Sequence, residues 1–282
     1  MKISVTSYSF QQYLNAGKID HLGMIDKAHE LGLDGIEFIA LPGETFEERC
    51  ELAGKLRARA DELGMPIVSH TIGANLYGES EEANAAEVER VKRQLDIAKI
   101  LGAPVLRHDL CWSLPKDGSA RSFDQMIPTL AKNTREITEY AESLGIRTCS
   151  ENHGQLAQDS DRMERFFNAV NHENYGLLVD IGNFVCVDED NVTAVSRVAP
   201  YAVHAHAKDF YLSKDKKEGW WETRGCNYIK GAIVGEGDID VKRCVEVLKR
   251  AGYDGYISVE FEGSEDCIEA ISKGMAYLRS IV

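Results

Sequence analysis

Short runs rich in β-branched residues alternate with longer stretches whose apolar residues recur at helical spacing, from one end of this chain to the other. That alternation predicts repeated strand–helix units around a parallel sheet. Eight pairs are expected, with strands beginning at Ile3, Gly35, Ile67, Val105, Arg147, Leu177, Ala202 and Tyr256. Gly, Asn or Pro punctuates the segments between them. Five helix-to-strand junctions share one design: Leu31-Gly32-Leu33-Asp34-Gly35, Leu63-Gly64-Met65-Pro66, Leu101-Gly102-Ala103-Pro104, Leu144-Gly145-Ile146 and Ala251-Gly252-Tyr253-Asp254-Gly255. The glycine can take the left-handed conformation that closes a helix, and the next strand starts a few residues on. This recurrence predicts an α/β fold made of one closed (β/α)8 barrel, not a doubly wound sheet with irregular connections.

The 282 residues, 44% of them hydrophobic, suit a barrel that needs about 250. No linker or low-complexity tract divides the chain, so residues 1–282 are expected to form a single domain. The connection 210–237 is longer than the others and holds Trp220, Trp221 and Arg224. Long loops in compact domains often act as lids, so both tryptophans are candidates for substrate cover, with a plain surface excursion as the alternative.

In a parallel barrel the loops after the strands form the active-site face, so polar residues at the carboxyl ends of strands carry the information. Nearly every predicted strand supplies one: Glu37, His70, His108, Glu151, Asp180, His206 and Glu260. Apolar residues flank each of them, and burying such groups without partners costs several kcal/mol apiece. Metal coordination offsets that cost. Singly, a strand-end carboxylate can cap a helix and a lone His is commonly a satisfied core residue. Convergence of Glu151, Asp180, His206 and Glu260, on strands five to eight and near one end, selects them as ligands of one divalent ion. Three carboxylates and an imidazole are a hard set that suits Mn²⁺ first, with Mg²⁺, Fe²⁺, Co²⁺ and Zn²⁺ as alternatives.

Composition narrows the partners. A formal net charge of −14 repels polyanions, and no basic stripe with interleaved aromatics compensates, so nucleic acid is not expected. No apolar run approaches the roughly 20 residues of a membrane span, and a cytoplasmic location is expected. The seven cysteines, Cys50, Cys111, Cys149, Cys186, Cys226, Cys244 and Cys267, form no close pair. They read as reduced packing residues, not as a disulfide framework.

The segments Ser150-Glu151-Asn152-His153-Gly154, Val179-Asp180-Ile181-Gly182-Asn183, His204-Ala205-His206-Ala207-Lys208-Asp209, Val234-Gly235-Glu236-Gly237-Asp238 and Ser258-Val259-Glu260-Phe261-Glu262, in this order, resemble the xylose isomerase-like TIM barrel superfamily, the sugar phosphate isomerase/epimerase group. The resemblance runs over essentially the whole chain. It implies one divalent cation on Glu151, Asp180, His206 and Glu260, in agreement with the choice made from the residues. It also implies that Glu151 and Glu260 exchange protons with a carbon beside a keto-sugar carbonyl, through a metal-stabilised enediolate. A metal-dependent isomerase or epimerase of a small carbohydrate is therefore the leading expectation.

Two departures qualify it. Asn183 stands where the family often has His, and the Asn-Arg pair that follows the first Glu ligand in ketose epimerases is absent. Instead His153 lies two residues after Glu151, on the same side by strand parity, and is the third catalytic candidate; a His bonded to a neighbouring loop carbonyl is the alternative. This His resembles members that eliminate a substituent, namely sugar-type dehydratases and the barrel subunit of 3-keto-glycoside-cleaving enzymes, so a lyase is the runner-up. Glu37, His70, His108, Asn183, Lys208 and Trp112 are expected to contact substrate. His70 and His108 could instead form a second metal site, Lys208 could pair with Glu236 or Glu262, and Glu37 could brace the barrel mouth. The endonuclease branch is disfavoured by the acidic charge and by Asn183, with no Asp-x-His substitute in 210–237. A non-catalytic sugar-binding subunit that needs a partner chain, or a homo-oligomer, completes the set of expectations.

Overall fold

The computed structural model describes residues 1–282. Its strands, in chain order, are β1 (Lys2–Thr6), β2 (Gly35–Ile39), β3 (Ile67–Ile72), β4 (Val105–His108), β5 (Arg147–Glu151), β6 (Tyr175–Asp180), β7 (Ala202–Ala207), β8 (Asp209–Ser213), β9 (Trp221–Glu222), β10 (Tyr228–Ala232) and β11 (Tyr256–Val259). The helices are α1 (Gln11–Asn15), α2 (His21–Glu30), α3 (Phe46–Leu63), α4 (Glu81–Leu101), α5 (Phe123–Ser143), α6 (Ser160–Val170), α7 (Asn191–Val198), α8 (Val241–Arg250) and α9 (Cys267–Ile281). β1 to β7 and β11 pair in sequence, and β11 returns to β1, closing a parallel eight-stranded barrel. The sixth strand starts two residues before its predicted start because Tyr175 and Gly176 pair with Thr148 and Cys149.

Local chemistry starts and stops the helices where the barrel needs them. The Thr45 and Ser80 side chains accept the backbone N–H groups that open α3 and α4, and Glu48 completes a capping box with Thr45. All five junction glycines, Gly32, Gly64, Gly102, Gly145 and Gly252, have positive φ, between 64° and 89°. Period-two alternation then divides each strand. Ile3, Val5, Ile36 and Phe38 are fully buried on the side facing the helices, where each such side chain stabilises the fold by roughly 1.5–3 kcal/mol. The opposite side chains fill a barrel interior that is unusually polar: Ser4 and Ser258 hydroxyls lie 2.7 Å apart, and Ser258 donates to Glu37 at 3.0 Å.

The 210–237 connection is not a loop. It folds into an antiparallel sheet in the order β8-β10-β9, with Trp221 paired to Ile229. Asp209 anchors it by accepting backbone N–H bonds from Phe210, Gly235, Gly237 and Ile239. Asp188 fastens its far side through Thr223 and Asn227, each donating at 2.7 Å. No helix is long and apolar enough to cross a membrane.

Candidate active site

Strand register determines which side chains meet. The pairings Thr6↔Glu37, Glu37↔Ser69, Thr71↔Arg107, Arg107↔Cys149, Asp180↔His206 and Ser258↔His206 place all of these on one parity, the interior one. Near the carboxyl ends of β5, β6, β7 and β11, Glu151, Asp180, His206 and Glu260 come together, with one ligand atom from each within 4.8 Å of the others. His206 Nδ1 lies 2.9 Å from Glu260, 3.8 Å from Asp180 and 3.9 Å from Glu151. Its Nε2 donates to Glu37 at 2.9 Å, and His204 Nε2 donates to the other oxygen of Glu37 at 2.5 Å.

The electrostatics of this cluster ask for a cation. Burial pushes the Asp180 carboxyl up to about 8, and the crowding of Glu260 and Glu151 adds to that, against the pull of Lys208. Asp180 Oδ2 is buried with no hydrogen-bond partner. His206 is held well above 6.5 although burial opposes its charge, because Glu37 and Glu260 flank it. A proton on Nδ1 thus occupies the position where a cation would bind, and the orphaned Asp180 oxygen supplies a further ligand atom. The four residues fit a divalent ion, with Glu37 fixing the tautomer that turns the Nδ1 lone pair toward it.

A second network leads away from Glu151. Arg107 bridges Glu151 at 2.6 Å and Asp109 at 2.8 Å, and Asp109 accepts from His153 Nδ1 at 3.0 Å. Burial disfavours the His153 charge, yet the Asp109 bond outweighs it and holds the ring above 6.5. Trp112 packs edge-on against His153 with centroids 5.1 Å apart. The turn beyond depends on Gly154, whose φ is 82° and where an added Cβ would sit 3.2 Å from the Trp112 ring. A cavity of about 310 Å³ opens among Thr6, Thr71, Arg107, His153, Lys208 and Glu260.

The fold and this geometry agree with what comparison shows: the family model described as xylose isomerase-like TIM barrel matches residues 25–281. The chain belongs to that family. An inosose dehydratase of Lacticaseibacillus casei is 27% identical over 194 residues, 64% of this chain and 64% of that protein; the match spans less than two thirds of the relative's own length. Among solved structures, the IolI protein with a bound zinc atom superposes with TM-score 0.78 at 17% identity, covering 100% of this chain and 98% of the other. The 3-keto-D-glucoside 4-epimerase YcjR of E. coli gives 0.74 at 18% identity, covering 99% of each chain. At such identities these structures share the fold alone.

Within this xylose isomerase-like barrel, several expected substrate contacts lie elsewhere. His70 and His108 have the opposite parity, in phase with Val68, Ile72 and Leu106, and face the helix layer. His70 is a satisfied core residue, its ring nitrogens 3.1 Å from the Phe38 carbonyl and 3.0 Å from the Gln94 amide oxygen in α4. Burial pushes His108 down to about 4, and its Nδ1 donates to the Asp109 carbonyl at 2.9 Å. Neither reaches the cavity or forms a second metal site there. Glu37 is fully buried beneath the cluster with both oxygens engaged, so it braces His206 and does not line the cavity. Asn183 donates to Glu151 at 2.8 Å and accepts from Lys208 at 3.3 Å, which makes it a support for both. Lys208 lines the cavity but is held by Glu260 at 3.2 Å, Glu262 at 3.3 Å and Asp180 at 3.5 Å. Trp112, half exposed, stands at the mouth beside His153.

Residue type alone favours His108 and hides its neighbours Arg107 and Asp109. Parity exposes them: Leu106 and His108 alternate with Val105 and Arg107, and the large apolar residue marks the helix-facing phase. The Glu37 brace is testable. Glu37→Gln should weaken divalent-metal affinity about 10- to 100-fold, read by competition with a metal-sensitive dye, with the barrel still folded by circular dichroism. Unchanged affinity would mean that Glu37 serves the interior packing only.

Proposed function

We propose that this chain is a divalent-metal-dependent sugar or cyclitol lyase, which removes a proton beside a carbonyl and expels a hydroxyl from the next carbon as water. The observation that carries this reading is His153, whose Nδ1 donates to Asp109 at 3.0 Å, a bond that favours the protonated ring, at the wall of the same cavity as Glu260. The curated inosose dehydratase relative points the same way.

The residues of the cavity divide the chemistry among them. Glu260 is the least buried of the four cluster residues, and Lys208 and His206 keep it a carboxylate well below the usual range even though burial opposes this. It takes the proton from carbon, and the electron pair flows toward the carbonyl and then into the new C=C bond. A divalent ion held by Glu151, Asp180, His206 and Glu260 supplies a Lewis acid for the carbonyl oxygen. Arg107 and Asn183 clamp both oxygens of Glu151, which keeps it a fixed ligand. The C–O bond breaks as His153 donates its proton to the departing hydroxyl, since its Nε2 makes no hydrogen bond within the protein. Thr71 Oγ1 has no protein partner and lines the cavity, where it can bind a substrate hydroxyl.

Epimerisation is the second reading, favoured by the presence of two glutamates, Glu151 and Glu260, in one cavity. The test is 2-keto-myo-inositol with the Mn²⁺- or Mg²⁺-supplemented protein in deuterated water. Elimination of water supports the lyase, whereas deuterium incorporation with an epimer and no elimination supports the second reading. His153→Gln should preserve deuterium exchange while slowing elimination about 100-fold or more. No exchange and no elimination on this or related keto-polyols would overturn both.

A further inference from the structure

The cavity at the cluster is small. Its roughly 310 Å³ lies at the lower end of the about 300–1,000 Å³ that small-molecule sites occupy, enough for one polyol ring. A second cavity of about 240 Å³ adjoins it and shares His153, Lys208 and Glu262 in its walls. Trp221 and Phe210 line this second space. Phe210 is buried and packs edge-on against Trp221 at 6.1 Å and 72°, which fixes the indole, while 49% of Trp221 remains exposed. A rigid, half-open aromatic surface next to a ring-sized polar site is what a sugar ring or an aryl group packs against.

The charges select among substituents. Lys208 is the only Lys or Arg that lines the second cavity, and three carboxylates already hold it. Glu222 and Glu262 line the same space. In the first cavity Arg107 is engaged by Asp109 and Glu151. A phosphate or carboxylate in the second cavity would therefore meet Glu222 and Glu262 with no free Lys or Arg to pair with, and with the one other basic side chain there, His153, already bonded to Asp109.

We infer that the substrate is an uncharged keto-polyol ring bearing a bulky neutral substituent, a second sugar or an aryl group, which lies over Trp221 in the adjoining cavity. This rests on the proposed reaction for the ring itself. It also gives the 210–237 insertion a role, because β8 and β9 build the wall of the substituent site.

Tryptophan fluorescence titration of the Mg²⁺-supplemented protein with D-glucose, phenyl β-D-glucopyranoside and D-glucose 1-phosphate compares the same ring with no substituent, a neutral one and an anionic one. The phenyl glucoside should bind roughly fivefold tighter than glucose, the range an aromatic contact supplies, and the phosphate weaker than either. Trp221→Ala should abolish that preference and Trp221→Phe should keep part of it. Equal binding of glucose and phenyl glucoside, tighter binding of the phosphate, or binding of none of the three would overturn the inference. Deuterium exchange on 2-keto-myo-inositol reports separately on the reaction: its absence with the phenyl preference intact would overturn the proposed chemistry and leave the substituent site standing.

Discussion

Glu260→Gln is expected to lower turnover of a keto-polyol by about 1,000-fold or more while the thermal midpoint falls little. A positioned general base contributes about 10²–10⁴-fold, and the same substitution removes an anionic oxygen from the ligand set, so the losses compound. The fold should survive because glutamine is nearly isosteric and Glu260 lies just beyond β11, with 13% of its side chain exposed. Its amide can still accept from His206, 2.9 Å away, and from Lys208, 3.2 Å away. The informative comparison is kcat against the melting midpoint by circular dichroism. Turnover within tenfold of the original chain, with metal bound, would remove Glu260 from the role of base.

The second large effect concerns the metal. Elemental analysis should find about one divalent ion per chain after incubation with Mn²⁺ or Mg²⁺, and His206→Ala or Asp180→Asn should abolish it. Asp180→Asn is the cleaner variant, because its side-chain oxygen can still accept the Gly182 and Asn183 N–H bonds now made by Oδ1 at 2.7 and 3.0 Å. It lacks only the second charged oxygen, the atom that has no hydrogen bond in the buried cluster and that Lys208 approaches at 3.5 Å. Binding linkage offers a readout independent of activity: at 100-fold excess over Kd, a ligand stabilises the native chain by about 2.7 kcal/mol. The melting midpoint should rise on adding Mn²⁺ and fall with chelator in the original chain, and stay flat in Asp180→Asn. A metal-free protein whose midpoint ignores both additions would leave the cluster without its assigned purpose.

These effects can be anticipated because much of the site follows from local sequence. Glu151, Asp180, His206 and Glu260 stand at the ends of four predicted strands, and barrel closure brings such ends together whatever the loops do. Parity alone assigns His153 to the Glu151 side. Residue type misleads where it outweighs phase. His70 and His108 stand out as histidines, yet each sits in register with the apolar residues that face the helices. Glu37 reads as a residue of the barrel mouth, whereas the register with Thr6 and Ser69 sets it a layer below, against His204 and His206.

What the chain's pattern alone determined was the architecture: eight strand–helix units, five glycine-closed junctions and a row of strand-end polar groups, all set by periodicities of two and 3.6 residues and by backbone conformation. What only the tertiary structure decided was pairing between residues far apart in sequence. Arg107 meets Glu151, Glu37 meets His204 and His206 across the barrel, and Lys208 is held by Asp180, Glu260 and Glu262. Likewise the 210–237 segment became an antiparallel sheet with Asp209, at its start, holding the backbone of its far end and Asp188, from another part of the chain, holding Thr223 and Asn227. Such contacts depend on the shear and closure of the barrel, which no local pattern encodes, and they decide which charges are free to meet a ligand.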